Sequence, residues 1–304
     1  MIKAWLNAAR LRTLPLSISG IIVGSGMAAH LGAFDAQILS LALLTTIGFQ
    51  VLSNFANDLG DSQKGTDNAQ RVGPARAIQS GLLSQKQMRL AIIIMSLVSF
   101  SSALLLIYKS VENLSTKEIY AYIVLAIACI IAAISYTVGK NAYGYRALGD
   151  FMVFLFFGFV SVVGVFMLYG KGFQWLTIFP AISIGAWSTA VLNLNNLRDI
   201  ENDRIMNKRT IAVNLGFEKG KIYHVILVCS GLATWFFCVY LLATVHSNYF
   251  LFLALIPSIG FVLHLQRTIQ EQSPANLDKE LKKVALFTFF SALLFAILLN
   301  LASQ

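Results

Sequence analysis

The chain alternates long apolar runs with short polar interruptions. Uninterrupted apolar stretches fall near residues 14–31, 37–56, 90–108, 119–138, 148–169, 175–196, 223–244, 249–265 and 284–302. Each is close to the roughly 20 helical residues that cross a bilayer core about 30 Å thick. The pattern predicts an all-α polytopic membrane protein of nine transmembrane helices joined by short loops. It further predicts one domain over 1–304, built from two four-span units at about 14–138 and 148–265 with a ninth span at about 284–302. The first run is preceded by Lys3, Arg10 and Arg12, as a secretory signal would be. It is longer than a signal's apolar region and more spans follow it, so it is expected to stay as a helix.

Composition narrows the class. Of 304 residues, 57% are hydrophobic and 12% charged, and the mean hydropathy is +0.70, which excludes a soluble globular, disordered or collagen-like chain. The net charge of +9 has a topological explanation. With the N-terminus inside, 20 of the 23 Lys and Arg residues fall in cytoplasmic segments, and only Lys109, Lys117 and Lys171 fall outside. Positive loops stay cytoplasmic, so the N-terminus is expected inside and the C-terminus outside, in a cell (inner) membrane. No nucleic acid is needed to explain the charge. Cys129, Cys229 and Cys238 lie within apolar runs without paired spacing and read as packing residues. The four histidines are scattered and suggest no metal site.

Two acidic clusters stand out, at the ends of spans 2 and 6. The first runs Asn54, Asn57, Asp58, Asp61, Lys64, Gly65, Asp67, and the second Asn195, Asn196, Arg198, Asp199, Glu201, Asn202, Asp203. Residues three or four apart share a helix face, so Asn54, Asp58 and Asp61 form one stripe if the helix continues, and Asn195, Asp199 and Asp203 form another. Both lie where an outside-to-inside helix ends, the negative pole of its dipole, so a compensating cation is expected. Oxygen-only ligands suit Mg²⁺, whose shell phosphate oxygens can complete. Basic residues follow each cluster: Arg71 and Arg76, then Lys208 and Arg209. The repeated Asn-x3-Asp pattern suggests an internal repeat whose acidic ends face one cavity. Solvated helix ends would account for Asp67 or Glu201 singly, and Arg198 and Arg204 read equally as partners of neighbouring acids or as topology signals.

On these residues the chain resembles the UbiA superfamily of membrane-embedded prenyltransferases. The resemblance rests on 9–17 (ARLRTLPLS), 52–67 (LSNFANDLGDSQKGTD), 71–84 (RVGPARAIQSGLLS), 135–150 (SYTVGKNAYGYRALGD) and 195–216 (NNLRDIENDRIMNKRTIAVNLG). It covers residues 9 to about 216, while the last three spans match in hydropathy. Within the superfamily the pattern is most similar to the branch that prenylates 1,4-dihydroxy-2-naphthoate, although Ala142 stands where that branch often has proline before the Tyr-Gly-Tyr run. The resemblance implies a UbiA-like helical bundle, a polyprenyl diphosphate donor, the naphthoate as acceptor, and Mg²⁺ as cofactor, at a site facing the cytoplasm.

It also implies roles for residues. Asp58, Asp61, Asp199 and Asp203 are the expected metal ligands, assisted by Asn54 and Asn195 at the metal and diphosphate. Arg71, Lys140, Lys208 and Arg209 are candidates for the diphosphate. An allylic cation left by C–O cleavage must be kept from water, and Tyr136 is the first candidate for an aromatic wall around it, an interfacial belt tyrosine being the other reading. Phe151, Phe154, Phe156 and Phe157 could line a groove for the prenyl tail or form a lipid-facing stripe. Other acceptors, such as 4-hydroxybenzoate, homogentisate, haem or a glycerol ether, stay within the same family. An ion-coupled transporter is the alternative from another class, but transporters bind near the midplane, whereas these acids gather at one membrane edge.

Overall fold

A computed structural model describes residues 1–68 and 71–301, and among these nine helices are long and apolar enough to cross a membrane. The short helix α1 (Ile2–Ala9) leads into α2 (Leu14–His30), followed by α3 (Ala36–Lys64), α4 (Gln85–Lys109) and α5 (Thr116–Ser135). The fifth span is Gly149–Met167. It opens as α6 (Gly149–Val153), widens over Phe154–Gly164 into i→i+5 winding, and closes as α7 (Val165–Met167). Next come α8 (Ile178–Arg198), the short α9 (Ile200–Ile205) and α10 (Ile211–Leu215), then α11 (Phe217–Val245), α12 (Pro257–Gln270) and α13 (Asp278–Leu301).

Local signals set the helix starts. Asp35 caps α3, its Oδ1 accepting from the backbone N–H of Gln37 at 2.7 Å and of Ile38 at 3.2 Å. Ser84 with Gln87 and Ser115 with Glu118 form reciprocal capping boxes at α4 and α5. The stop of α3 is Gly65, whose φ of 71° closes the helix in the left-handed conformation that glycine tolerates. At 1.5 Å per residue the 29 residues of α3 extend about 44 Å, longer than the hydrocarbon core. The helix is thus longer than one crossing needs, and Asn57, Asp58 and Asp61 lie in its last turns.

The observed spans follow the apolar runs closely, with differences at polar ends. The second continues past residue 56 because the acidic stripe remains helical, and the ninth begins at Asp278 rather than near 284. The second acidic stripe is interrupted: α8 ends at Arg198, Asp199 sits between helices, and α9 restarts at Ile200.

Two apolar clusters hold the bundle. The smaller joins α1, α3 and α4 through Ala8, Leu52, Phe55, Leu59, Met88 and Ile92. The larger centres on Trp187 of α8, which stacks on Phe261 with ring centres 4.5 Å apart and meets Trp235 at 5.5 Å, while Trp235 meets Phe295 at 5.0 Å. These rings tie α8 to α11, α12 and α13. Two of the four histidines also meet inside this half: His224 and His264 share a 2.8 Å hydrogen bond between their Nε2 atoms, and His264 Nδ1 pairs with Glu280 at 2.7 Å. Their separation in sequence hid that contact.

Close backbone approach fixes α8 against the fifth span. A Cβ at Gly158 would stand 2.5 Å from the carbonyl oxygen of Ala181 and 3.0 Å from Gly185 Cα, and one at Gly185 would stand 2.8 Å from the Phe154 carbonyl oxygen. Small residues permit such crossings in membranes. Gly158→Val is therefore expected to destabilise the bundle by about 1–3 kcal/mol or more through overpacking. Gly164→Ala, whose new Cβ would meet nothing nearer than 4.0 Å, is expected to be tolerated. Melting of the detergent-solubilised variants checks this pair; equal melting temperatures would contradict the tight crossing.

Candidate active site

The extension of α3 and the α8–α9 break put both acidic clusters at one end of the bundle. Asp58, Asp61, Asp199 and Asp203 are all buried. The segment after α3 folds back over them. Arg71 Nη1 donates to the Pro74 carbonyl at 2.8 Å, and the Ala77 N–H donates to Asp58 Oδ2 at 3.2 Å. A Cβ at Gly73 would lie 2.6 Å from Arg198 Nη2 and 2.8 Å from Arg71 Nη2, so a larger residue there would push the two guanidinium groups aside.

Arg76 is the hub of the first cluster. Its Nη1 lies 2.9 Å from Asp61 Oδ2, and its Nε lies 3.0 Å from Asp67 Oδ1 and 3.7 Å from Asp58 Oδ1. Arg10, held with φ of 49° at the end of α1, approaches Asp58 at 3.7 Å. Arg71 joins the clusters, its Nε standing 3.5 Å from Asp67 Oδ1 and 3.7 Å from Asp199 Oδ2. A second link is the hydrogen bond from Asn202 Nδ2 to the Thr66 carbonyl at 2.9 Å. In the second cluster Arg198 grips Asp199, and Lys208 stands 3.4 Å from Asp203. Tyr145 buttresses the centre: its hydroxyl donates to Asp61 Oδ1 at 2.8 Å, and Lys64 Nζ sits 4.0 Å above its ring.

The cations match these acids in number, yet burial still acts on individual carboxyls. Burial pushes the Asp67 carboxyl up to about 6 despite Arg76, and burial does the same to Asp203 despite Lys208. Burial also opposes ionisation of Asp199, but the Arg198 guanidinium outweighs it and holds that carboxyl below its ordinary range. Among the described residues, Asp58 Oδ1, both Asp67 oxygens, Asp203 Oδ2 and Asn202 Oδ1 are buried without a hydrogen bond, although arginines stand beside Asp58 and Asp67. The donor chemistry, hard oxygens alone, fits Mg²⁺ with diphosphate oxygens completing its shell, while no three of the described acids are gathered to hold a metal ion by themselves.

The other residues singled out from sequence divide into two groups. Asn54 and Asn195 are engaged within the protein: Asn54 Nδ2 donates to the Ala9 carbonyl at 2.9 Å, tying α1 to α3, and Asn195 Oδ1 accepts from Arg198 Nη2 at 2.8 Å. Lys140 and Arg209 have exposed side chains. The Arg209 N–H donates to the Tyr145 carbonyl at 3.3 Å, which places it beside the buttressing tyrosine. Arg76, singled out from sequence as a basic residue after the first cluster, is the residue that bridges its acids; Arg10, Lys64, Asp67 and Tyr145 were not among the expected site residues, although all four lie within the stretches that carry the resemblance. Arg10 read there as a topology signal.

An apolar cavity of about 330 Å³ opens beside the cluster. Gln50, Asn54, Asn57, Tyr136 and Tyr143 line its polar part, and Ile21, Leu106 and Leu168 are among its apolar walls. Along α3 it reaches from Ala42 to Asn57, about 22 Å of helix. Tyr136 faces this cavity and packs edge-on to Tyr143 at 5.2 Å. Phe156 and Phe157 line it too, whereas Phe151 is exposed and Phe154 packs on Phe159.

Removing Arg76 would leave Asp58, Asp61 and Asp67 buried with too little positive charge. Arg76→Ala is expected to cost on the order of 3–5 kcal/mol, and Asp67→Asn in the same chain to recover part of it. Thermal unfolding in detergent reads both; an Arg76→Ala chain as stable as the parent would contradict the hub.

Residues 17–294 match the model of the UbiA prenyltransferase family. The chain is 41% identical to the 1,4-dihydroxy-2-naphthoate octaprenyltransferase of Haemophilus influenzae, over 97% of this chain and 95% of that protein. It is 38% identical to the Escherichia coli protein of the same name, over 97% and 94%. Its fold is similar to a solved UbiA homolog from Archaeoglobus fulgidus bound to DMAPP and Mg²⁺, with a TM-score of 0.60 at 16% identity over 97% of this chain and 99% of that one. The buried acidic pair of motifs, the cavity beside them and these likenesses agree: the chain belongs to the UbiA prenyltransferase family.

Proposed function

We propose that the protein transfers a polyprenyl group from an all-trans polyprenyl diphosphate to 1,4-dihydroxy-2-naphthoate, releasing diphosphate and CO₂ and giving demethylmenaquinone in its reduced, quinol form. The observation that carries this reading is the junction of a buried cluster of acids and cations from both motifs with a long apolar cavity. That junction suits a molecule with an anionic head and a hydrocarbon tail, and the named relatives supply the acceptor.

Asp58, Asp61, Asp199 and Asp203 would hold Mg²⁺, which when bound neutralises the diphosphate and favours its departure. Arg71 and Lys208 lie inside the cluster, where they can stabilise the leaving diphosphate, and Lys140 and Arg209 serve as outer cationic contacts. Asn54 and Asn195 support the site by holding α1 and Arg198 in place. Tyr136 faces the cavity at its polar end, where its ring can shield the allylic cation while excluding water. The acceptor ring then attacks, a C–C bond replaces the broken C–O bond, and the ring carboxylate leaves as CO₂. Phe156 and Phe157 line the path for the tail.

The whole chain acts as one membrane prenyltransferase domain of two four-span units and a ninth span. The 20-to-3 distribution of Lys and Arg supports an inside N-terminus, an outside C-terminus and a site facing the cytoplasm of a cell (inner) membrane.

The test is the ratio of CO₂ to diphosphate released by purified protein with Mg²⁺, the naphthoate and a long-chain prenyl diphosphate. A ratio near one is expected. Diphosphate release without CO₂, or turnover only with 4-hydroxybenzoate or homogentisate, would refute the acceptor assignment.

A further inference from the structure

The last helix reaches the site through a single buried guanidinium. Arg198 has a side chain only 1% exposed, and all four of its hydrogen bonds go to acceptors. Its Nε donates to Asp199 Oδ1 at 3.1 Å and its Nη2 to Asp199 Oδ2 at 2.6 Å, a two-pronged grip on one carboxylate. Nη2 also donates to Asn195 Oδ1 at 2.8 Å. The remaining prong, Nη1, donates to Asp278 Oδ1 at 2.5 Å. Asp278 is the first residue of α13, 80 positions away in the chain, in the region where the sequence resemblance had faded to hydropathy.

Packing and the ion pair act together here. Leu277, fully buried, belongs to the same apolar cluster as Leu197 and Ile200, while a cavity of about 210 Å³ lies beside Arg198, bordered by Val72, Asn202 and Ser273 to Ala275. Beside that opening the ion pair is the polar link between the start of α13 and the second motif. The grip also leaves Asp199 usable. Each carboxylate oxygen has two lone pairs, so a fork that takes one from each leaves one from each for another partner.

We propose that Arg198 is a positioning residue for Asp199, and that Asp278 on the ninth span sets its pose, so that the last helix helps to load the divalent cation. This rests on the reading of Asp199 as a metal ligand. Groups behind a metal ligand commonly change metal affinity 10- to 100-fold. Loss of Asp278 would act in two ways with one sign. Arg198 would lose its anchor, and its charge, no longer balanced, would oppose the incoming cation.

A bridge that merely staples α13 predicts lower stability and unchanged metal affinity, so the two ideas separate. The experiment uses the full chain in detergent micelles, with Mn²⁺ binding followed by electron paramagnetic resonance and Mg²⁺ dependence of prenyl transfer measured in parallel. Asp278→Asn is expected to weaken Mn²⁺ binding about tenfold or more, with a matching rise in the Mg²⁺ needed for half-maximal turnover. Asp278→Glu should recover most of that loss. Leu277→Ala, beside it and fully buried, should lower the melting temperature while leaving Mn²⁺ affinity within about twofold. If Asp278→Asn does not survive extraction, Arg198→Lys keeps the charge, loses the fork and gives the same readout. Unchanged Mn²⁺ affinity in Asp278→Asn or Arg198→Lys, or an equal loss in Leu277→Ala, would overturn the proposal alone. A wild-type chain that binds no Mn²⁺ would overturn the metal reading, and the proposal with it.

Discussion

Asp58, Asp61, Asp67, Asp199 and Asp203 share one buried site, and their repulsion governs what the rest of the chain must provide. Carboxylates withdrawn from water need counter-charges close at hand, or they take up protons. The chain draws those charges from widely separated places: Arg10 from the end of α1, Arg71 and Arg76 from the loop after α3, Arg198 from the end of α8, and Lys208 from the turn after α9. Many features of the fold near this end follow from that need. The loop after α3 folds inward, Gly73 leaves room for two guanidinium groups, and Tyr145 comes from a different hairpin to hold Asp61. The counter-charges match the acids in number, but burial still makes Asp67 and Asp203 hard to ionise, and among the described residues several oxygens make no hydrogen bond. A divalent cation with a diphosphate would engage those oxygens.

The apolar part of the molecule complements this end. α3 serves both parts, lining the cavity from Ala42 to Asn57 and carrying Asp58 and Asp61 in its last turns. An amphiphilic donor would be sorted there by physical chemistry, its tail between helices and its head among charges. Tyr136 stands where those two regions meet, half-buried at the polar end of the cavity.

Much of this was legible in the sequence, and the reasons differ by feature. The spans were readable because a bilayer demands long apolar runs, and the structure moved only their polar ends. The acid motifs were readable because Asn54, Asp58 and Asp61 fall at helical spacing and the pattern recurs at Asn195, Asp199 and Asp203. The second stripe proved less regular than the first, since Asp199 lies between two helices. Arg10 and Asp278 were not legible as site neighbours. A lone Arg before the first span reads as topology and a lone Asp before the ninth as a solvated helix start, and only tertiary packing brings them to the acids. The His224–His264 contact was hidden for the same reason. Asn54 and Asn195 were readable as polar members of the stripes, but their amides turn toward Ala9 and Arg198, which spacing alone cannot tell.

The central claim is that both acidic motifs serve one divalent cation site at the mouth of the apolar cavity. The most direct measurement is a structure of the protein with Mn²⁺ and an unreactive prenyl thiodiphosphate, using anomalous scattering to locate the metal. The account predicts Mn²⁺ within ligand distance of carboxylates from both motifs, with the prenyl chain passing Tyr136 into the cavity. Metal bound by one motif alone, or a prenyl chain lying outside the cavity, would contradict it.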